Sequence, residues 1–108
     1  MGSIYRIVCG EKCYVGQTRR PVHVRWGEHR RHALAGAEGP LYDALRMTGG
    51  TLDVLEECEQ SMLNTRERAW IRSLDTLFPN GYNVTPGGAS SKKQNRKWGA
   101  RVRDWKYM

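Results

Sequence analysis

PVHVRWGEHRRHALA, residues 21–35, is the stretch around which the rest of the chain arranges itself. Pro21 suits the first position of a helix, where its missing N–H has no partner to lose, and Val22, Trp26 and Ala33 then recur on one face. Arg25, His29 and His32 fall at i, i+4 and i+7 and form a second stripe beside the apolar one. A fixed cation and a titratable imidazole therefore sit one turn apart on the flank of a core helix, and Arg30 and Arg31 add positive charge. Alone, such a helix reads as a solvated basic face. The sequence on either side of it argues for more.

Before it, residues 3–8 hold Ile4, Tyr5, Ile7 and Val8, all good strand formers. Gly10-Glu11-Lys12 supplies a turn, Cys13-Tyr14-Val15 reads as the returning strand of a hairpin, and Gly16 is expected to end it. Tyr5 and Tyr14 either face each other across this hairpin or lie on one side of it, and tyrosines of this kind also serve simply as strand residues. Residues 17–20 connect to the helix. After it, residues 36–39 break the pattern, and Pro40 opens a short helix carrying Leu41, Ala44, Leu45 and Met47 on its apolar side. Gly49-Gly50 ends that helix, and residues 51–55 read as a third strand with Leu52 and Val54 on one face. Hairpin, two helices and a strand make an α+β order, in which a small three-stranded antiparallel sheet needs helices to cover its apolar face.

Ser61 is placed to cap a third helix with apolar positions Leu63, Trp70, Ile71 and Leu74, flanked by Met62 and Ala69. Glu67 lies on that same face, four residues after Leu63 and four before Ile71. A carboxylate in an apolar stripe is costly unless it is paired or holds a metal. The competing placement makes Asn64 and Glu67 a capping box at a later helix start; the fit of Met62 and Leu63 to the apolar period favours the mid-helix position. Pro79-Asn80-Gly81 is a turn, and residues 82–84 form a short extended piece. Residues 85–91, with Gly87, Gly88, Ser90 and Ser91, read as the end of one domain over 1–88 and the start of a flexible basic tail over 89–108.

The chain has 108 residues and a formal net charge of +7, enough for one domain with an adequate core. Seven Lys/Arg face only Glu11 and Glu28 in residues 6–34, while four Arg face eight Asp/Glu in residues 35–91. Residues 92–108 carry seven Lys/Arg against Asp104. Positive charge thus gathers on the first helix and in the tail, as in a protein that meets a polyanion. A membrane surface is the rival anion, but the tail has no sustained apolar face, and its Trp98, Trp105 and Tyr107 alternate with cations in a way that suits base stacking. No stretch resembles a signal peptide or a bilayer span, so the expectation is a soluble, cytoplasmic protein with no membrane partner. Cys9, Cys13 and Cys58 are an odd set, which argues for reduced thiols; Cys9 and Cys13 make at most half of a zinc site.

Together these pieces resemble the GIY-YIG nucleases. The resemblance rests on Ser3-Ile4-Tyr5, Tyr14-Val15-Gly16, Arg25-Trp26-Gly27-Glu28-His29, Arg66-Glu67-Arg68-Ala69-Trp70-Ile71 and Asn80-Gly81-Tyr82-Asn83, in the family's order and at spacings of the usual size. It is nearest to the catalytic domains of phage and intron homing endonucleases, because His29 follows Arg25 and an Asn-Gly-Tyr-Asn segment closes the domain. A bacterial or phage-infected cytoplasm would be its setting. Ser3 replaces the first Gly of the name motif and Val15 its Ile, changes that add little bulk and keep the β-branched shape. Some relatives carry another His before the second helix, where this chain has Glu38-Gly39-Pro40; His32 is a candidate substitute.

The resemblance implies a phosphodiester hydrolase. Tyr5 would be the base or would position the water, with His29 accepting its proton, since a phenol of ordinary pKa about 10 is a poor base at neutral pH unaided. Tyr14 would hold the scissile phosphate or share that role. Arg25 would supply a fork of donors to the nonbridging oxygens. Glu67 would ligate one Mg²⁺ or Mn²⁺, and Asn83 would orient the phosphate or brace the tyrosines. Arg19, Arg20, Arg30 and Arg31, with Lys92, Lys93, Arg96, Lys97, Arg101 and Arg103 of the tail, are the candidate DNA contacts; cations of this kind strengthen binding without reading sequence. The implied activity is a metal-dependent DNA endonuclease with low intrinsic specificity, or one whose site is chosen by a partner protein or a homodimer. The alternatives are a non-catalytic nucleic-acid-binding module that keeps the fold, and a small zinc-dependent interaction domain built on the cysteines. The presence of both Arg25 and Glu67 speaks against the former.

Overall fold

Strand β1 (Gly2–Cys9) is the axis of the molecule, with β2 (Lys12–Thr18) paired antiparallel on one side and β3 (Thr51–Cys58) antiparallel on the other. A computed structural model describes residues 1–87. Within them the order is β1, β2, α1 (Val22–Leu34), α2 (Pro40–Thr48), β3 and α3 (Leu63–Leu74). Three antiparallel strands with three helices make the α+β class that the sequence predicts.

Both faces of the sheet are covered. Tyr5, Ile7 and Cys9 point to one side, where they pack with Ala33 of α1 and Leu41 and Leu45 of α2. Ile4 and Val15 point to the other, against Leu63 and Ile71 of α3. This is why β1 reads as an apolar run and not as a clean alternation: a strand buried on two faces has no solvent side. A bulge in β3 adjusts the register, because Ile4 pairs with Glu56 and Tyr5 with Val54, which leaves Leu55 as the extra residue. Leu55 packs on the α3 side. Glu56 ties α3 to the sheet by accepting from Arg66 Nε at 2.9 Å and Trp70 Nε1 at 2.9 Å. Arg46 joins the other two helices, donating to the carbonyls of Ala33 at 2.8 Å and of Ala37, just past α1, at 2.9 Å, at the helix C-terminus where a cation is favoured.

Several expectations shift. Pro21 is the residue before α1, and Val22 is the first helical one. Gly16 does not end β2; the strand continues through Gln17 and Thr18. Strand β3 runs to Cys58. Ser61 does not cap α3, since it lies in a 3₁₀ turn, Gln60–Met62, and no side chain caps the helix. Met47, Met62 and Val54 are exposed, so the apolar faces proposed from them are narrower than hydrophobicity alone suggests. Glu67 is the fifth residue of α3, which removes the capping-box placement and sets its carboxylate mid-helix.

After α3 the chain folds back along the outer edge of β2. Tyr82 N–H donates to the Cys13 carbonyl at 2.9 Å, and Asn83 closes a bridge with Leu77. Gly81 is required here: a Cβ would stand 2.4 Å from Thr76 Cα and 2.7 Å from the Cys13 carbonyl oxygen, both backbone atoms that cannot move aside. Among the described residues no helix is long and apolar enough to cross a membrane. The expected domain boundary at 88/89 and the tail residues Lys92, Lys93, Arg96, Lys97, Arg101 and Arg103 lie outside the described residues.

Candidate active site

The register of the hairpin decides where the tyrosines go. Tyr5 stands opposite Gly16 and Tyr14 opposite Ile7, so both rings emerge on the same face, two pairs apart, with centroids 6.5 Å from each other. Gly16 is what lets Tyr5 lie flat across β2, for a Cβ there would be 2.5 Å from Tyr5 Cζ and its hydroxyl oxygen. Helix α1 crosses this face and delivers His29 between the rings, 5.8 Å from Tyr5 and 5.6 Å from Tyr14 by centroid. His29 is 1% exposed, and together with Val22, Trp26 and Ala33 it completes the core-facing stripe of α1. It is therefore on the buried face, not the flank where hydrophobic spacing puts it. Arg25 is half-buried beside it, whereas His32 is exposed.

Tyr5 Oη lies 2.7 Å from His29 Nε2, and His29 Nδ1 lies 3.3 Å from the hydroxyl of Tyr42 on α2. Burial drives the Tyr5 phenol up to about 12, a rise that the Arg25 guanidinium opposes. Burial likewise pushes Tyr14 well above its ordinary value, and the neighbouring Tyr5 and Glu67 push the same way. The His29 imidazolium is disfavoured by burial first and by Arg25 second, which takes its pKa down to about 3. At neutral pH the site therefore holds a neutral phenol against a neutral imidazole. The Arg25 charge lies near enough to the phenol to oppose that rise, and the direction of the Tyr5–His29 hydrogen bond is set by which ring nitrogen of His29 carries the proton.

Arg25 also donates to Glu28 Oε1 at 3.1 Å. Glu28 in turn receives both guanidinium nitrogens of Arg20, at 2.9 Å and 2.6 Å, and these partners hold its carboxyl down to about 2. Arg20 is thus engaged within the fold, Arg30 lies over the Trp26 ring at 5.7 Å, and Arg19 and Arg31 are exposed.

Glu67 comes from the opposite face, and its side chain meets β2 at Gln17. Gln17 Nε2 donates to Glu67 Oε1 at 3.0 Å and to Asn64 Oδ1 at 2.9 Å. The residue is 9% exposed, and its charge is felt by both Tyr5 and Tyr14. Among the described residues no group of three His, Cys, Asp or Glu side chains gathers to hold a metal. A lone buried carboxylate fits an ion such as Mg²⁺, which takes one or two protein carboxylates and completes its shell with water and substrate phosphate. It does not fit zinc, which wants several N or S ligands; Cys9, Cys13 and Cys58 are free thiols.

Asn83 is occupied by the backbone. Its Oδ1 accepts from Val15 N–H at 2.9 Å and Thr76 Oγ1 at 2.7 Å, and its Nδ2 donates to the Val15 carbonyl at 2.8 Å. It extends the sheet by one side chain and fixes β2 next to Tyr14. Sequence reasoning overlooked Tyr42, Gln17 and Thr76. Their partners lie 13, 50 and 7 residues away in the chain, so no short-range spacing marks them.

No family model and no curated protein sequence matches the chain. Among solved structures, a variant of the catalytic domain of intron endonuclease I-TevI superposes with a TM-score of 0.70 at 28% identity, covering 81% of this chain and 97% of that one. The catalytic domain of homing endonuclease I-TevI does so with a TM-score of 0.68 at 27% identity, covering 79% and 99% respectively. The fold and the order of the motifs along the chain agree with these catalytic domains and support a GIY-YIG-like nuclease domain.

Proposed function

We propose that the chain is a metal-dependent DNA endonuclease in which Tyr5 activates the attacking water and His29 takes the phenol proton. The 2.7 Å contact between Tyr5 Oη and a buried, neutral His29 carries this reading. A phenol with its pKa raised to about 12 does not ionise at neutral pH by itself. With a lone pair on Nε2 in line and the Arg25 guanidinium beside the oxygen, transfer to His29 is coupled to water attack, and the negative charge forms where a cation already stands. Arg25, half-buried and unable to titrate in this range, would also donate to the nonbridging oxygens of a phosphate. Tyr14, on the same face, is the second phosphate contact, and Asn83 braces the strand that presents it. Glu67, held by Gln17, would ligate Mg²⁺ or Mn²⁺, which supplies charge neutralisation at the phosphate and relief for the leaving oxygen.

DNA is the partner that the basic balance favours, with Arg19, Arg30, Arg31 and the tail from Lys92 to Arg103 as phosphate contacts. Such contacts carry no base readout, so specificity is low or comes from a partner protein or a second copy. We assign residues 1–88 to the nuclease unit and 89–108 to the basic tail. Incubation of the purified chain with supercoiled plasmid, a branched DNA and a single strand, each with Mg²⁺, Mn²⁺ or excess chelator, tests the assignment. Metal-dependent nicking is expected; intact substrates in every metal would refute it.

A further inference from the structure

His29 lies within hydrogen-bond distance of two tyrosine hydroxyls, and only one of them belongs to the nuclease motifs. Tyr42, on the first turn of α2, places its hydroxyl 3.3 Å from Nδ1, on the far side of the ring from Tyr5. Its own ring is half-buried and lies edge-on to the exposed His32, with centroids 6.1 Å apart. The row Tyr5, His29, Tyr42, His32 therefore leads from the buried phenol to the surface.

We infer that Tyr42 is a positioning residue which fixes neutral His29 as the Nδ1–H tautomer and passes its proton outward. This rests on the nuclease reading and deepens it. A neutral imidazole carries one proton and can place it on either nitrogen. On Nε2 it would point at Tyr5 and leave the phenol proton with no acceptor. On Nδ1 it donates to the Tyr42 oxygen and leaves the Nε2 lone pair facing Tyr5. Transfer then balances without a lasting imidazolium in a buried pocket. Tyr5 gives its proton to Nε2, Nδ1 gives its proton to the Tyr42 oxygen, and Tyr42 releases its own to water. The Tyr5 phenolate takes the proton of the attacking water; the imidazole has exchanged tautomers, and the reverse path restores it as Tyr42 recovers a proton from water, Nε2 returns one to Tyr5 and Tyr5 gives one to the leaving oxygen. The expected effect of removing the Tyr42 oxygen is modest, because one neutral hydrogen bond separates the two tautomers: a two- to roughly tenfold fall in rate.

The test has two readouts. Long-range proton–nitrogen correlation spectra of the ¹⁵N-labelled full chain report which His29 nitrogen is protonated, in the wild type and in Tyr42→Phe. Single-turnover nicking at saturating plasmid reports the rate, and plasmid affinity is measured beside it. We expect the wild type to carry its proton on Nδ1, and Tyr42→Phe to move a substantial share to Nε2, with a two- to roughly tenfold slower rate and unchanged affinity. A wild-type His29 protonated on Nε2 would overturn the inference, and that spectrum needs no variant to fold. An unchanged tautomer or an unchanged rate in Tyr42→Phe would overturn it as well. A wild type that nicks nothing would remove the nuclease reading while the spectra still decide the tautomer.

Discussion

Adding one methyl group at Gly16 should disable the site without replacing any group that does chemistry. An alanine Cβ there would stand 2.5 Å from Tyr5 Cζ and from its hydroxyl oxygen, and 3.0 Å from the Tyr14 ring. Carbon atoms settle at about 3.5–4.0 Å, so the Tyr5 ring must retreat by roughly 1 Å. It has little room, being 1% exposed and already 2.7 Å from His29. A displacement of about 1 Å at a reacting group costs on the order of 10² in rate, while overpacking costs about 1–3 kcal/mol of stability. Single-turnover nicking beside urea denaturation separates the two: Gly16→Ala should remain folded and cut about a hundredfold more slowly. If the loss acts through Tyr5, adding Gly16→Ala to Tyr5→Phe should change the rate little further. A wild-type rate in Gly16→Ala would refute the proposed placement of Tyr5.

Removing the base and removing the cation should give different pH profiles. His29→Ala is expected to lose about 10²- to 10⁴-fold at neutral pH and to recover partly as pH rises, whereas Tyr5→Phe stays low and Arg25→Ala is impaired throughout. Parallel profiles for His29→Ala and Arg25→Ala would leave His29 as a phosphate contact. Stability should also report on His29. Its folded pKa of about 3 lies below the ordinary 6.5, so the unfolded chain binds the extra proton, and the contribution is complete above pH 6.5 and lost as pH falls towards 3. Between pH 6.5 and 4.5, before Glu28 takes part, urea titrations should show a loss approaching 1.4 kcal/mol per pH unit that His29→Gln abolishes. Asn83→Ala strips partners from both polar groups of Val15 and from Thr76, and should destabilise the fold by about 2–4 kcal/mol in the same titrations.

Much of this is legible in the sequence, and the limits have physical causes. The helical period shows α1 and α3 because burial on one side selects apolar residues at fixed intervals, and it exposes Glu67 as a charge in the wrong place for a merely soluble helix. The same logic misplaces His29, because a buried imidazole held between two hydroxyls does not look apolar. Gly16 reads as a strand end when counted by propensity; its real reason is a ring lying across it, which pairing alone reveals. Met47, Met62 and Val54 look like core by type yet face solvent, where single exposed apolar side chains are normal. The contacts Gln17 to Glu67, Tyr42 to His29 and Asn83 to Val15 join different elements, so register and helix crossing set them and no local spacing announces them.

If the buried tyrosine–histidine pair and the Glu67 carboxylate form one hydrolytic site, Glu67→Gln should silence it. The amide keeps the shape and the size of the side chain but gives up its charge. With Mg²⁺ or Mn²⁺, plasmid nicking should disappear in Glu67→Gln and in wild type with excess chelator, while DNA binding and urea stability persist. Undiminished nicking by Glu67→Gln, or by the wild type in excess chelator, would mean that neither the carboxylate nor a metal takes part in hydrolysis.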